Sequence, residues 1–305
     1  MLLPILRSLL LTALTAVFVA GCDRPAKTPE APHTAVDSPA ERPAISSPAV
    51  APPRDTIVEV RPDLKKYFDE FNVSAGAFVL YDINANRYVR YNPERCAEGF
   101  LPASTFKIFN SLVALETGAV RDEHEVIPWD GVTRWVKEWN EDQAMTQAFQ
   151  RSTVWFYQEL ARRIGETRMR SYIEREKYGN MDIGGGIDQF WLDGALRISA
   201  DQQVGMLRKL YAGKLGFSER SMRVVRELMV IERNDRYTLR GKTGWTKGKF
   251  GNLGWLVGYV ERGSNVYIYA MNLSTTDPDF PMMQARRAIA GKILAELGAL
   301  PTAGE

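Results

Sequence analysis

The sequence predicts a mixed α/β (α+β) fold. One antiparallel sheet is drawn from both ends of the chain, flanked by helices and interrupted by a mostly helical insert. Three observations carry this. Short runs with strand character occur at 75–91 and return at 237–273. Between them, residues 103–232 read as mostly helical. Helical segments at 62–72 and 281–297 bracket the whole. No internal repeat is visible.

Each element has a local reason. In 62–72, Leu64, Phe68 and Phe71 fall on one helical face. Residues 75–81 and 87–91 read as strands joined by the turn Asn84-Ala85-Asn86. Pro102 cannot lie inside a helix, so a helix begins just after it, and Gly118 stops it. Ile108, Phe109, Leu112, Val113, Ala114 and Leu115 make this helix apolar nearly all round, which predicts burial. Residues 143–165, 166–176 and 200–211 supply further helices. Residues 237–242, 253–261 and 266–273 alternate or run apolar, with Arg262-Gly263-Ser264-Asn265 as a turn. Residues 281–297 close the domain as a helix.

The 305 residues allow one large domain or two small ones, and 45% hydrophobic with 25% charged residues is ordinary globular composition. A net charge of +2 with no basic block gives no reason to expect nucleic acid as a partner. The two histidines, His33 and His124, leave almost nothing for a Ser-His-Asp triad or a multi-histidine metal centre.

Residues 1–22 have signal-peptide order: Arg7, an apolar stretch from Leu9 to Ala20, then Gly21. Val19-Ala20-Gly21-Cys22 resembles the bacterial lipobox, which implies lipidation of Cys22, export and a periplasmic domain held at a membrane. Asp23 resembles the signal that retains enterobacterial lipoproteins at the inner membrane. Residues 23–55 hold eight of the sixteen prolines and no apolar periodicity, so they read as a disordered tether. The folded domain is then 56–305. With Cys22 lipidated, Cys96 has no partner and is read as a structural thiol near the start of the buried helix.

Ser104 and Lys107 stand three residues apart at the head of that helix, hence on one face. A hydroxyl beside an amine is a nucleophile with a base, and a helix N-terminus favours developing negative charge. Four more motifs follow in order: Ser152-Thr153-Val154, Tyr178-Gly179-Asn180, Phe190-Trp191-Leu192 and Lys242-Thr243-Gly244-Trp245.

Together these resemble the penicillin-recognising serine enzymes, and within them the class D, oxacillinase-type, β-lactamases. The resemblance covers roughly residue 62 to the C-terminus and implies the serine β-lactamase, or penicillin-binding transpeptidase-like, fold. It implies hydrolysis of β-lactams through a serine acyl-enzyme. Ser104 is then the nucleophile, with its own N–H and that of Trp245 as the oxyanion hole. Lys107 is the general base, carboxylated on Nζ by CO2 and held by the indole N–H of Trp191. Ser152 relays a proton to the leaving nitrogen. Val154, Lys242, Thr243, Gly244 and Trp245 line the substrate site, and Arg286 takes the substrate carboxylate, with Arg287 as the neighbour to test. Tyr178 shapes a loop. Substrate range is expected to depend on the surroundings of Trp135, Trp139 and the turn at 246–252. CO2 or bicarbonate is the only small molecule required, and no metal or other cofactor is expected. The expected partners are the β-lactam and the membrane through Cys22; a homodimer stays open.

The alternatives are a penicillin-sensing domain acylated without turnover, a peptidoglycan peptidase and a non-catalytic wall-binding lipoprotein. The absence of further membrane segments argues against the first. Val154, where peptidases carry Asn, argues against the second. The third would make five ordered motifs coincidental.

Overall fold

Strand β1 (Ile57–Val60) opens the described chain, followed by a 3-10 turn and α1 (Lys65–Asp69). Strands β2 (Ala75–Asp82) and β3 (Arg87–Tyr91) make the expected hairpin; Asn86 adopts φ +47°, and Asp82 Oδ1 accepts the Ala85 N–H at 3.0 Å. Helices α2 (Pro93–Ala97) and α3 (Lys107–Glu116) follow, then α4 (Met145–Arg151), α5 (Val154–Ile164), α6 (Glu166–Glu176), α7 (Ala200–Tyr211) and α8 (Glu219–Leu228). Strands β4 (Val230–Arg233), β5 (Thr238–Gly248), β6 (Gly251–Arg262) and β7 (Asn265–Thr275) complete the sheet before α9 (Met282–Glu296). This computed structural model describes residues 56–73, 75–248 and 251–302. The proposed signal segment, Cys22 and the whole of the tether lie outside the described residues.

Among the described residues the strands form one sheet in the order β1-β3-β2-β7-β6-β5-β4. Strands from both ends of the chain meet where β2 pairs with β7, as expected. Side chains alternate across the sheet. On β2, Ala77, Val79 and Tyr81 join the core beneath the insert, while Phe78 and Leu80 join a second core under α1 and α9. Helix α3 lies inside the first core with nine of its ten residues buried. No helix among the described residues is long and apolar enough to cross a membrane.

Several expectations need correction. The sheet is not wholly antiparallel, because β1 pairs in parallel with β3. Strands β1 and β4 are too short for a period to show; pairing with β3 and β5 creates them. The insert is less helical than read: 119–144 and 177–199 are largely irregular. Their glycines, prolines and asparagines favour turns. The single helix expected over 143–165 is two, broken at Ser152 and Thr153. Cys96 belongs to the separate α2, buried, its thiol donating to the carbonyls of Phe78 and Tyr91. Burial pushes this thiol up to about 12, which keeps it protonated and inert.

Candidate active site

Pro102 ends the preceding loop, and Ala103–Phe106 form a 3-10 turn before the α-helix proper begins at Lys107. The tighter turn has three residues per revolution, so positions i and i+3 eclipse. That stacks Lys107 directly beneath Ser104, and Lys107 Nζ donates to Ser104 Oγ at 2.7 Å. Lys107 is fully buried. Burial first, and the nearby Lys242 second, hold its ammonium well below the ordinary lysine value. Ala103 sits at φ +48°, a strained conformation for alanine. It is pinned there: its N–H donates to Trp191 O at 3.1 Å, and Thr105 Oγ1 donates to Pro102 O at 2.7 Å.

Ser152 caps α4 in the left-handed region at φ +58°. This sharp exit separates α4 from α5 and leaves Ser152 and Val154 on the lining of one cleft. Thr153 anchors the break, its Oγ1 donating to Gln143 Oε1 at 2.8 Å. From the opposite side, Lys242 Nζ donates to Ser152 Oγ at 3.1 Å. Burial, with Arg286 and Arg287 adding to it, lowers Lys242 to about 7.

Trp191 is fully buried, and its indole N–H finds no acceptor. Its ring stacks on Phe106 at 5.2 Å, one residue before Lys107. The Tyr178-Gly179-Asn180 motif fastens the loop that carries it. Asn180 Nδ2 donates to Ala195 O at 3.0 Å, and Asn180 Oδ1 accepts from Arg197 N–H at 2.9 Å. Gly179, at φ +58°, lies so close to Arg197 that a Cβ would stand 2.1 Å from its carbonyl oxygen. Tyr178 packs on Phe106 and Phe109, in keeping with a loop-shaping part.

Strand β5 does not end at Lys242 but runs to Gly248. Strand β4 pairs with it only as far as Arg240, so no strand covers its outer edge beyond. That edge faces the 3-10 turn: a Cβ at Gly244 would meet Pro102 O at 2.9 Å. Arg286, on α9, donates from Nη1 to Gly244 O at 2.7 Å, while its Nε–H has no protein partner. Burial and Arg287 lower its guanidinium to about 10, still a cation at neutral pH. Arg286 is buried in the cleft; Arg287, the next residue, is exposed.

The cleft holds about 390 Å³, lined by Ser104, Ser152, Val154, Thr243, Trp245 and Arg286 from the expected set. Trp135 and Trp139 join them, their rings 6.3 Å apart, with Trp135 84% exposed. Lys107, Lys242 and Trp191 lie behind this lining, each buried. Sequence reasoning missed Val136, Arg151 and Met283 on the wall. Arg151 ends α4 and Met283 lies in the first turn of α9, so neither carried a motif to mark it. The Ser104 hydroxyl on the cleft wall, backed by a buried lysine whose ammonium form is disfavoured and faced by the Arg286 guanidinium, is arranged to attack an acyl carbon beside a carboxylate.

Residues 76–297 match the family described as the penicillin-binding protein transpeptidase domain. Beta-lactamase OXA-48 of Klebsiella pneumoniae is 45% identical over 228 residues, covering 75% of this chain and 85% of that protein. Beta-lactamase OXA-10 of Pseudomonas aeruginosa is 40% identical over 234 residues, covering 75% and 87%. A class D beta-lactamase structure from Sebaldella termitidis superposes with TM-score 0.77 at 33% identity, covering 81% of this chain and all of that one. The class D enzyme YbXI from Nostoc gives TM-score 0.75 at 43% identity, covering 79% and all of it. Sequence and fold agree with the order of the five motifs, and the chain belongs to the transpeptidase-domain family and, within it, to the class D β-lactamases.

Proposed function

We propose that this protein hydrolyses β-lactam antibiotics through a serine acyl-enzyme. The observation that carries this is the 2.7 Å contact between Ser104 Oγ and a fully buried Lys107 Nζ. A lysine depressed by burial can hold a free amine at neutral pH and take the proton as Ser104 attacks the lactam carbonyl. The backbone N–H groups of Ser104 and Trp245 serve as the oxyanion hole. The lactam C–N bond breaks, and Ser152, paired with Lys242, passes a proton to the leaving nitrogen. Thr243 and Gly244 line the strand side and Val154 the helix side. Arg286, on the cleft lining, takes the substrate carboxylate through a charge-assisted contact.

The residues fit CO2 at Lys107. A neutral amine reacts with CO2, and the orphan indole N–H of Trp191 is a ready donor for the carbamate. Carboxylation would supply an anionic base at Lys107 in place of the amine. The chain is proposed to be exported to the periplasm and anchored by lipid on Cys22, with 23–55 as tether.

Two measurements test these readings. With nitrocefin or oxacillin, sustained turnover is expected, and Ser104→Ala should abolish covalent labelling by a fluorescent penicillin. A single-equivalent burst without turnover would instead mean a penicillin sensor. Wild type should partition with membranes and Cys22→Ala should be processed poorly or released. Equal soluble fractions for both would rule out the anchor.

A further inference from the structure

A second feature stands at the other end of the sheet. Strand β1 is the edge strand farthest from β5 and the cleft. Ile57, Val58 and Val60 on it are all more than half exposed. Such edges are ordinarily guarded by charged side chains, proline or a bulge; β1 has only Glu59, which alternates to the opposite face from Val58 and Val60 and pairs with Arg61 and Arg87. Val58 and Val60 register with Tyr88 and Arg90 of β3, so they share the face that α7 covers. On that face Arg90 bonds Asp201 at 3.0 Å, and Arg208 donates to Tyr88 Oη at 2.6 Å.

Two shallow cavities on this side of α7 share Gly205 and Lys209; Lys177 lines one and Lys214 the other. These three lysines are exposed, and none pairs with a carboxylate among the described residues. Of the acids nearby, Glu176 pairs with Arg175 and Asp201 with Arg90, while Glu174, three residues before Lys177, stands exposed. Gly205 falls within α7, where glycine is unfavourable. A Cβ there would meet nothing within 4 Å, so close packing does not demand it. Its effect is to leave the floor open between the two cavities.

We propose that this face docks on an anionic phospholipid surface, with Val58 and Val60 entering the headgroup layer and Lys177, Lys209 and Lys214 meeting lipid phosphates. Exposed aliphatics beside unpaired lysines are the two components such a surface selects. In sequence, the segment that carries Cys22 joins the fold immediately before β1. The proposal rests on the exposed residues and their charge, and takes from the anchoring reading only that a membrane is at hand. Docked this way, the cleft beside β5 stays open to substrate.

The test uses the full-length chain with phosphatidylcholine vesicles, with and without phosphatidylglycerol, read by flotation and by amide hydrogen exchange. Exchange at 56–60 and 205–214 should slow at least about fivefold on the anionic vesicles relative to the neutral ones, and added salt should reverse it. Replacing Lys177, Lys209 and Lys214 together by Glu should abolish the slowing, and replacing them by Gln should weaken it, with nitrocefin turnover unchanged in both. Equal exchange on the two lipids would overturn the proposal while flotation with neutral vesicles still upholds the anchor. Flotation with anionic vesicles only would uphold docking without the anchor, and flotation with neither would overturn both. Slowing that tracks protein density instead of lipid charge would mean a second copy on the free edge, and would overturn it too.

Discussion

Replacing Trp191 by Phe separates the two things that side chain does. The ring stacks on Phe106 at 5.2 Å and meets Phe190 edge-on at 4.9 Å, contacts a phenyl ring largely keeps. The indole N–H is buried without an acceptor and disappears. Without CO2, the smaller ring leaves roughly 40 Å³, which at about 24 cal/mol per Å³ costs about 1 kcal/mol. Removing an orphan donor returns about 1–3 kcal/mol, so the melting temperature should scarcely fall. With CO2 bound, the same N–H donates to an anion, an interaction worth about 1.5–3 kcal/mol. Its loss should weaken CO2 uptake about 10- to 150-fold. The assay follows penicillin turnover against bicarbonate in degassed buffer at acidic and alkaline pH, alongside the carbamate carbon signal from labelled bicarbonate. Wild-type activity should fall at acidic pH, as the carbamate is protonated and decomposes, and bicarbonate should restore part of it. A Trp191→Phe enzyme that turns over slowly yet half-saturates at the wild-type bicarbonate concentration would refute the role of this N–H. No carbamate signal in wild type, with rates indifferent to bicarbonate, would refute carboxylation of Lys107 altogether.

Arg286→Ala should lower kcat/KM about 10- to 150-fold through loss of a charge-assisted contact, while Arg287→Ala, at an exposed position, should do much less; a larger Arg287 defect would move the carboxylate site by one residue. Lys242 is lowered from 10.5 to about 7, so between those values the unfolded chain holds a proton the folded chain has released. Its contribution to stability therefore rises with pH across that window and is lost as pH falls towards 7. Lys242→Met should raise the melting temperature more at pH 7 than at pH 10, and an equal gain at both would show that Lys242 does not titrate in the fold. Gly179→Ala places a Cβ 2.1 Å from Arg197 O at a positive φ, and should lower the melting temperature by roughly 5 °C or more and slow turnover by loosening the Trp191 loop. Unchanged melting would mean the loop is not clasped there.

The sequence by itself determined the strands with a clear period, the apolar helix α3 and the five motifs. These signals are local. A buried helix must be apolar all round, a hairpin needs its Asn or Gly turn, and a nucleophile needs its base one turn away. The family followed from the order of the motifs. What it left undecided has the opposite character. β1 and β4 are only four residues long and exist because β3 and β5 offer them an edge to pair with. Sequence leaves open whether Ser152-Thr153-Val154 lies within a helix or at its start, because residues on both sides keep helical periodicity; the Thr153–Gln143 bond across the loop anchors the break. Lys242 reaches Ser152 across 90 residues of sequence, and Arg286 reaches Gly244 across 42. Tertiary structure alone decided those contacts, and with them the proton affinity of each lysine. An amine's pKa answers to burial and to the charges around it, and no stretch of neighbouring sequence records either.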